Sequence, residues 1–378
     1  MQPTRRIRVE APSRFASYDL DTLGILTIEA KPSDMPHCLE TAIRDGAEIL
    51  SNTGNTLTVF YPTRFEAFID STREGIDADA VEGRWSDTLH AVIPGVSGQR
   101  VLVEPTRAAF LDAVRNNAPS FALQIETLPA YSSDPTAFAD FSPSVLIGEY
   151  RTVFSRSKPR TTNVKLAASA CDGVFLMPGA VFSYNKWVGE RSLERGFQEA
   201  PVIEQGQLVE GLGGGACQVS STIHAAALVA GLGILERSNH SLPSSYIPVG
   251  LDAVVSYPQL DLRLKNTLAR PVVIRAHIED NTLIAQVFSD AAPTAQIMFR
   301  HEIAEEIPYK ETITVDPSLP PGTVRVKKRG KVGYKVLRGR IFIENGKERY
   351  EKMYADTYMS QPQQTFIAPD VVYPPPEE

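Results

Sequence analysis

The 378-residue sequence predicts a multi-domain α+β protein, and three observations support that prediction. The chain is long for a single hydrophobic core, so two or three domains are expected. Its hydrophobic content of 43% is ordinary for a globular protein. Strand-like runs alternate with amphipathic helical runs over most of the chain, whereas the last part carries only short β-type runs separated by glycines.

Composition excludes several functional classes. The net charge of −7 argues against a nucleic-acid partner or an anionic membrane surface. The longest apolar run, Ala225–Leu235, holds two glycines and falls far short of the roughly 20 residues that a membrane span needs. Three cysteines cannot form a disulfide framework, and neither a CxxC nor an HExxH motif is present. We therefore expect no metal and no other cofactor.

Residues 1–145 are predicted to form an α+β module. Its predicted elements are four strands and two helices, followed by a Pro/Ser-rich linker: strands Leu23–Ala30, Thr56–Tyr61, Gln99–Val103 and Ala122–Leu128, helices Ser33–Leu50 and Thr106–Asn116, and linker Pro129–Pro143.

Residues 146–292 are predicted to form a second, mixed region, and residues 293–365 a small β-rich one. Residues 366–378 are predicted to be a flexible tail. The second region contains predicted strands and helices around the cysteine motif: strand Val145–Phe154, helix Asn163–Cys171, a helix over 219–233, and strands Ala253–Tyr257 and Pro271–Ile278.

The most informative segment is a glycine-led cysteine, Gly213-Gly214-Gly215-Ala216-Cys217, which opens an alanine-rich helix. A thiol in the first turn of a helix lies near unpaired backbone N–H groups and the positive end of the helix dipole, which favour a thiolate. Glycines remove side chains, so another molecule can approach the backbone. Cys217 is therefore a candidate nucleophile, with Gly214 and Gly215 as candidate substrate-binding residues. The alternative is a buried small residue beside a turn.

A cysteine nucleophile needs a base and a group that orients the base. His240, 23 positions after Cys217, is the preferred base because a segment returning past the helix can bring it back to the cysteine. His224 is two helical turns along, about 10 Å from Cys217 and out of hydrogen-bond reach. Asp252 and Asp261 are both candidates for the orienting acid, and spacing does not choose between them; we take Asp252 as the third catalytic residue.

Further candidates for binding substrate surround this motif. The Gln218 amide, or the backbone N–H groups of Cys217 and Gln218, can hold an oxyanion. Arg237 can bind a carboxylate through two hydrogen bonds. Tyr246 follows His240 in a Pro-rich stretch. Ser220 is also a candidate, although a serine at a helix start is more simply explained as a cap.

These motifs resemble the VanW family, bacterial cell-envelope proteins named after a member of a glycopeptide-resistance cluster. The resemblance covers about residues 146–290. One departure is His224, where the family often has Tyr. Six motifs in order carry the resemblance: Pro178–Asn185, Val188–Arg191, Gly196–Phe197, Gly213–Thr222, Glu236–Ser241 and Gly250–Ala253.

The resemblance implies a central mixed α/β VanW domain at 146–292, followed at 293–365 by a small all-β domain that is similar to G5 domains, which are thought to bind cell-wall sugars. Residues of about 90–145 resemble a peptidoglycan-binding module that often precedes the VanW domain, so the region 1–145 is assigned that role. The implied partners are peptidoglycan stem peptides and glycan.

The resemblance also implies an activity. Some VanW-domain proteins are implicated as L,D-transpeptidases, which form a thioester on cysteine and pass the acyl group to a neighbouring stem. Cys217 would be that nucleophile. Such a protein works outside the cell or in its envelope, so we expect an export signal to have been removed. Two alternatives stay open: a cysteine carboxypeptidase or amidase, and a non-catalytic wall-binding protein.

Overall fold

The computed structural model describes residues 5–11, 14–204 and 207–373, and the chain divides into two compact units. The first comprises the described residues up to Val81 together with Gly95–Ser133. The second comprises Glu82–Pro94 and the described residues from Asp134 onward. This division differs from the boundary expected at residue 145, because a short internal segment and the residues after 133 join the second unit. The last five residues of the expected tail, 374–378, lie outside the described part.

The first unit is α+β. Its elements are small sheets and three helices, and the first of them are β1 Arg6–Ala11, β2 Arg14–Asp19, β3 Ile25–Glu29, α1 Met35–Arg44, β4 Glu48–Asn52, β5 Thr56–Phe60 and α2 Pro62–Arg73. The next two strands along the chain, β6 Arg84–Ser86 and β7 Ala91–Ile93, belong to the second unit. The first unit then continues with β8 Gly98–Val101, α3 Val103–Arg115, β9 Ser120–Ala122 and β10 Ile125–Leu128. The strands pair in the orders β2-β1-β9, β3-β5-β4 and β10-β8.

Aromatic packing holds the first unit together. Phe65 of α2 stacks on Phe110 of α3 with ring centroids 5.0 Å apart, and Phe60 and Phe121 pack around them. All four rings are buried. Rings of this size contribute the largest apolar areas available to a small core, so they account for much of its stability.

Local backbone signals explain where the predictions for this unit differ. The helix expected over Ser33–Leu50 ends at Arg44, because Gly46 turns the chain with φ +80° and Glu48–Asn52 then pairs with β5. The strand expected over Ala122–Leu128 is two short strands. Helix α2 was not predicted; it begins at Pro62, a residue whose fixed φ suits a first helical turn.

The second unit is built on a six-stranded antiparallel sheet in the order β11-β19-β18-β12-β6-β7. Its elements precede and follow the cysteine motif: a 3₁₀ turn Pro135–Phe138, β11 Val145–Val153, α4 Lys158–Cys171, β12 Val174–Leu176, β13 Val181–Ser183, α5 Tyr184–Val188, β14 Glu199–Glu204, β15 Gln207–Leu212, α6 Ala216–Ala230, β16 Gly233–Glu236, β17 Arg263–Lys265, β18 Val272–Glu279 and β19 Thr282–Ser289.

The segment expected to be a linker, Pro129–Pro143, is instead anchored in the second unit from residue 134 onward. Phe138 and Phe141 are buried and pack edge-on against Phe175 of β12, each with ring centroids 5.0 Å apart. Trp85, on strand β6, contacts Phe141 in turn. The β6–β7 hairpin thus extends the sheet by a pairing between residues far apart in sequence, which local patterns do not reveal.

Helix α6 lies at the centre of the second unit. Nearly every residue from Ala216 to Ala230 is buried, and small side chains let the helix lie close to the sheet. Gly148 on β11 shows how close: a Cβ added there would lie 2.5 Å from the carbonyl oxygen of Ala226. The helix ends at Gly231, whose φ of +84° suits a left-handed C-cap.

The chain from Gln296 to Ile367, here called the C-terminal β domain, contains only strands. They form the orders β20-β23-β24, with β25 also on β23, and β21-β26-β22: β20 Gln296–Ile307, β21 Glu311–Val315, β22 Val324–Lys328, β23 Gly333–Glu344, β24 Lys347–Tyr350, β25 Tyr354–Tyr358 and β26 Gln363–Ile367. Phe366 and Ile367 are in β26, so residues expected in the tail are part of this domain.

A buried arginine joins the C-terminal β domain to helix α6. Arg340 of β23 donates to the carbonyl oxygen of Leu232 (2.8 Å), just after α6, and to that of Leu228 (3.4 Å) in the last turn of α6. Its guanidinium also binds Glu351 through two hydrogen bonds of 2.9 and 2.7 Å.

Within the described residues, the helices are too short or too polar to cross a bilayer.

Replacing Arg340 with Met should destabilise the second unit by about 3 kcal/mol, because Glu351 and the α6 carbonyls lose a buried partner. Lys335→Met is the matched control on the same strand. It removes an exposed pair with Glu305, which should cost below about 1 kcal/mol. Denaturant unfolding of both variants measures this difference, and equal midpoints would show that Arg340 does not anchor the domain.

Candidate active site

The three glycines before Cys217 make room for the protein's own chain. Gly213 and Gly215 have φ of +79° and +115°, which glycine adopts without strain. A Cβ on Gly214 would lie 2.5 Å from the carbonyl oxygen of Ala200, and one on Gly215 would lie 2.8 Å from the Val164 side chain. Gly214 and Gly215 are buried by these neighbours. Their expected role in binding substrate is therefore corrected to close packing around the start of α6.

Cys217 lies in the first turn of α6, where it is partly buried. Its Sγ is 3.5 Å from the carbonyl oxygen of Val255, and the thiol interacts electrostatically with the side chain of His240. Among the described hydrogen bonds, the Cys217 backbone N–H has no acceptor, as expected for a first-turn amide. The N–H of Gln218, by contrast, donates to Gly215 at 3.0 Å.

His240 links the cysteine to a buried acid. Its Nδ1 is 2.7 Å from Oδ2 of Asp252, and its backbone N–H donates to the same oxygen at 2.7 Å. Because Nδ1 is engaged by the carboxylate, Nε2 is the ring nitrogen left to face Cys217. The structure therefore places His240 in contact with the Asp252 carboxylate and in electrostatic interaction with the Cys217 thiol.

Charge pairing sets the protonation of this chain. Burial disfavours a charged imidazole, but the bonds to Asp252 and Cys217 overcome it and raise the pKa of His240 to about 9. Burial also opposes a thiolate, yet the bond to His240 and its charge lower the pKa of Cys217. For Asp252, the His240 bond and the Arg237 charge outweigh burial and lower the pKa to about 2. Each of these shifts favours the charged form, so the pairing promotes a thiolate, an imidazolium and a carboxylate relative to the isolated groups.

Tyr246, one of the expected substrate-binding residues, borders the site. Its hydroxyl is 3.5 Å from Nε2 of His240 and 3.5 Å from the Ser221 hydroxyl, and the two rings meet edge-on. Burial and the neighbouring Cys217 raise the pKa of Tyr246 well above its ordinary value, so the phenol is neutral and keeps its proton. Tyr246 is partly exposed and remains a candidate for contacting substrate.

Gln218 does not hold an oxyanion through its side chain. Its amide nitrogen donates to Thr152 Oγ1 and the Val153 carbonyl, both at 3.0 Å, and its amide oxygen accepts from Arg160 at 2.9 Å. Both N–H donors of this buried amide are thereby used within the protein. The structure leaves the N–H of Cys217 as the available donor.

Another expected binding residue, Ser220, is also engaged internally, as is its neighbour Ser221. Ser220 is fully buried, and its hydroxyl donates to the carbonyls of Ala253 (2.7 Å) and Cys217 (3.1 Å). It therefore ties α6 to the chain after Asp252 and caps no backbone N–H. Ser221 does the same, donating to Cys217 and accepting from the Ala253 N–H at 2.9 Å. Residues 253–257 were expected to form a strand. In the structure they instead make isolated β-bridges, Val254 with Ser238 and Ser256 with Leu260.

Arg237 binds carboxylates, as its chemistry suggests, but those of the protein. Its Nη2 donates to Asp252 Oδ1 at 2.8 Å, and its Nε donates to the Asp252 carbonyl at 2.6 Å. Its Nη1 donates to Asp356 of the C-terminal β domain at 2.6 Å. The side chain is 1% exposed, which corrects its expected role in binding substrate.

His224, set aside as the base, and Asp261, the other candidate for the orienting acid, have partners elsewhere in the protein. His224 is buried, with Nδ1 2.7 Å from the Leu251 carbonyl, and burial lowers its pKa to about 3. Asp261 accepts from the Asn185 N–H (2.8 Å) and the Ser183 hydroxyl at the start of α5. Asp252 is thus the acid that contacts His240. Among the described residues, no cluster of His, Cys, Asp and Glu is arranged to hold a metal ion.

Sequence reasoning missed the residues that reach the site from distant segments. Arg160 interacts electrostatically with Cys217, and Arg191 adds a smaller contribution to lowering the Cys217 pKa after His240. A basic patch at the start of α4 was the signal for Arg160. Tyr358 and Asp356 lie more than 100 residues from Asp252, and no local pattern marks them.

Comparisons with known proteins agree with this architecture. The sequence matches the family described as "VanW like protein" over residues 159–288 and the family described as "G5 domain" over residues 300–368. It is 29% identical to "Uncharacterized protein YoaR" of Bacillus subtilis (strain 168), over 70% of this chain and 89% of that protein. It is 31% identical to "Vancomycin B-type resistance protein VanW" of Enterococcus faecalis (strain ATCC 700802 / V583), over 35% of this chain and 50% of that protein.

Among solved structures, "IgA1 Protease G5 domain structure" is 34% identical and covers 20% of this chain and 90% of that one, with a TM-score of 0.16. "Crystal structure of HP0197-G5" is 25% identical and covers 19% of this chain and 96% of that one, with a TM-score of 0.12. Together, these similarities in sequence indicate a cell-wall related protein. The chain thus contains a VanW-like domain followed by a G5 domain, and it is homologous to YoaR and VanW.

Proposed function

We propose that this protein is a cysteine acyltransferase that cross-links peptidoglycan stem peptides, in the manner of an L,D-transpeptidase. The observation that carries the proposal is the placement of His240, whose Nδ1 is 2.7 Å from Asp252 Oδ2 and whose charge lowers the pKa of Cys217, in the first turn of a buried helix. A nucleophile, a base and an orienting acid in contact are the requirements for covalent acyl transfer.

The first half of the reaction forms a thioester. The Cys217 thiolate attacks the carbonyl carbon of a donor-stem amide bond, and the carbonyl oxygen takes up the negative charge. The free N–H of Cys217 can donate to that oxygen. When the intermediate collapses, the C–N bond breaks and the imidazolium of His240 gives its proton to the leaving amine. Asp252 holds the imidazole with Nε2 towards the sulfur throughout.

The second half transfers the acyl group. An amine, proposed to be the side-chain amine of diaminopimelate on a neighbouring stem, attacks the thioester carbon. His240 accepts the proton that this amine loses, the new amide bond forms, and the C–S bond breaks to return the thiolate. The thiolate–imidazolium pair is restored, so protons and charge balance over the cycle.

The choice of substrate rests on the family rather than on the cleft. The VanW-like and G5 matches indicate a cell-wall related protein, and peptidoglycan stems are its source of exposed amide and amine groups. We further propose that the G5 domain contacts wall glycan and that the N-terminal unit binds peptidoglycan. The substrate lies outside the cytoplasmic membrane, so the proposal includes an extracellular or cell-envelope location.

Cys217→Ala should abolish dimer formation from muropeptides, because no other group can form the thioester. Cys38→Ala is the matched control, since Cys38 lies in α1 of the first unit, and it should retain full activity. Chromatography and mass spectrometry of the muropeptides measure both. Dimers formed by a folded Cys217→Ala protein would exclude this site.

The same assay separates transfer from its alternatives. Donor stems alone, incubated with the wild-type protein, should give dimers. Release of the terminal residue without dimers would contradict cross-linking and show a carboxypeptidase in which water replaces the acceptor amine. Wall binding by Cys217→Ala with no turnover by the wild type would show a non-catalytic binding protein.

Iodoacetamide should alkylate Cys217 faster than Cys38 or Cys171 at neutral pH, because the rate depends on thiolate fraction and access. Cys171 is buried, and burial raises its pKa, so it should react slowest. Peptide mass spectrometry over a time course gives the three rates. Similar rates for Cys217 and Cys38 would contradict an activated thiol.

Activity should be bell-shaped in pH. Below the lowered pKa of Cys217 the thiolate gains a proton, and above about pH 9 the His240 imidazolium loses its proton. Asp252→Asn should move the upper limb to lower pH, since His240 loses its charged partner, and reduce kcat about 10²- to 10⁴-fold.

Asp261→Asn is the control for that substitution, because Asp261 binds the start of α5 and does not contact His240. It should leave both limbs of the pH profile in place. An Asp252→Asn profile that matches wild type, or an Asp261→Asn profile that shifts as Asp252→Asn is expected to, would contradict the assignment of Asp252.

A further inference from the structure

The C-terminal β domain reaches the proposed catalytic acid through a tyrosine. Tyr358, the last residue of β25, is fully buried, and its hydroxyl donates to Oδ1 of Asp252. The same hydroxyl accepts the backbone N–H of Gly250 at 2.6 Å. One phenol therefore fixes both the Asp252 carboxylate and the chain two residues before it.

A second side chain of the same strand acts through Arg237. Oδ2 of Asp356 accepts from Nη1 of Arg237 at 2.6 Å and from Nε of Arg338 at 2.8 Å. Arg237 in turn holds Oδ1 of Asp252. Charges this deeply buried persist only when they are paired with good geometry. Asp356 therefore fixes the arginine that the Asp252 carboxylate needs.

Backbone contacts hold β25 against the catalytic segment. The backbone N–H of Met359 donates to the Ser241 carbonyl at 2.7 Å, and the side-chain amide of Asn239 donates to the Thr357 carbonyl at 2.8 Å. His240 lies between Asn239 and Ser241. Further along, Nε2 of His301 is 2.7 Å from the Val249 carbonyl. The segment that carries His240 and Asp252 is thus bracketed on both sides by the C-terminal β domain.

The two oxygens of Asp252 have separate partners. Oδ2 accepts the two His240 bonds, whereas Oδ1 accepts from Arg237 and Tyr358. If the Oδ1 partners were lost, the carboxylate could rotate and His240 would lose its orientation. Partners at this distance from the reacting atoms commonly set the geometry and basicity of the residues they hold.

We infer that the C-terminal β domain is a structural part of the active site, with Tyr358 directly and Asp356 through Arg237 serving as positioning residues for Asp252. The inference rests on the proposed roles of Cys217, His240 and Asp252. It gives the G5 domain a second task besides the proposed contact with wall glycan: a protein without a docked C-terminal β domain holds a misoriented base.

The test measures alkylation of Cys217 by iodoacetamide at pH 6 and pH 10 in the full chain, read on the Cys217 peptide. At pH 10 a thiol with an ordinary or lowered pKa is ionised, so the Cys217 rate reports access. At pH 6 it reports the thiolate that His240 stabilises. Tyr358→Phe should lower the pH 6 to pH 10 rate ratio about tenfold, which corresponds to one unit in the Cys217 pKa, while the pH 10 rate stays at the wild-type value.

Tyr350→Phe is the matched control, because Tyr350 lies in the same domain, is exposed, and bonds only to Glu348 through its hydroxyl. It should keep the wild-type ratio. Asp356→Asn is the second variant, and it should lower the ratio less, since the amide oxygen can still accept from Arg237. If Tyr358→Phe does not fold, the rate ratio of Asp356→Asn tests the positioning role in its place. Folded variants of both residues with the wild-type ratio would overturn the inference.

This readout uses no peptidoglycan, so it is independent of the proposed reaction. A shifted ratio in a protein that never forms cross-links would support the positioning role and overturn the transpeptidase proposal. Cross-linking by wild type, together with an unshifted ratio in both variants, would support the transpeptidase proposal and overturn the positioning role. Where cross-linking occurs, Tyr358→Phe should lower kcat and leave KM near the wild-type value, because the tyrosine does not contact substrate.

Discussion

The buried carboxylate of Asp252 is the interaction on which the rest of this site depends. It accepts two hydrogen bonds from His240, one from Arg237 and one from Tyr358, and it is 1% exposed. An unpaired charge in that position would cost several kcal/mol, so each partner is required by the others. The imidazolium, the arginine and the phenol compensate the carboxylate, and the result is a fixed base next to Cys217.

This constraint explains why so many polar residues of the second unit are used internally. Gln218, Ser220 and Ser221 hold the first turns of α6 to β11 and to the chain after Asp252. The glycines before Cys217 admit the backbone of the neighbouring hairpin. Among the described residues, a partly buried thiol, the N–H of Cys217 and the edge of Tyr246 remain open at the start of α6. A small reactive surface on a scaffold that uses its polar side chains internally suits covalent chemistry, which requires the reacting groups to be held in place.

The sequence indicated the proposed nucleophile and the proposed base more clearly than the residues that support them. Cys217 followed from a glycine-led helix start, and His240 from the need for a returning segment, both of which are local signals. The choice between Asp252 and Asp261 required the fold, because both acids lie in turns. Arg237, Gln218 and the glycines have the chemistry of binding residues, but burial assigns them to the protein. Tyr358, the β6–β7 hairpin and helix α2 depend on distant contacts or on one proline, which periodicity does not register.

Cys217 is proposed to form an acyl-enzyme with a stem peptide. Intact mass spectrometry of the protein, quenched in acid during turnover of a tetrapeptide donor, detects this intermediate directly. We expect a mass increase equal to the donor minus the free amino acid released from its end, mapped to the Cys217 peptide and absent from Cys217→Ala. Turnover without any adduct on Cys217, or an adduct that persists in Cys217→Ala, would contradict it.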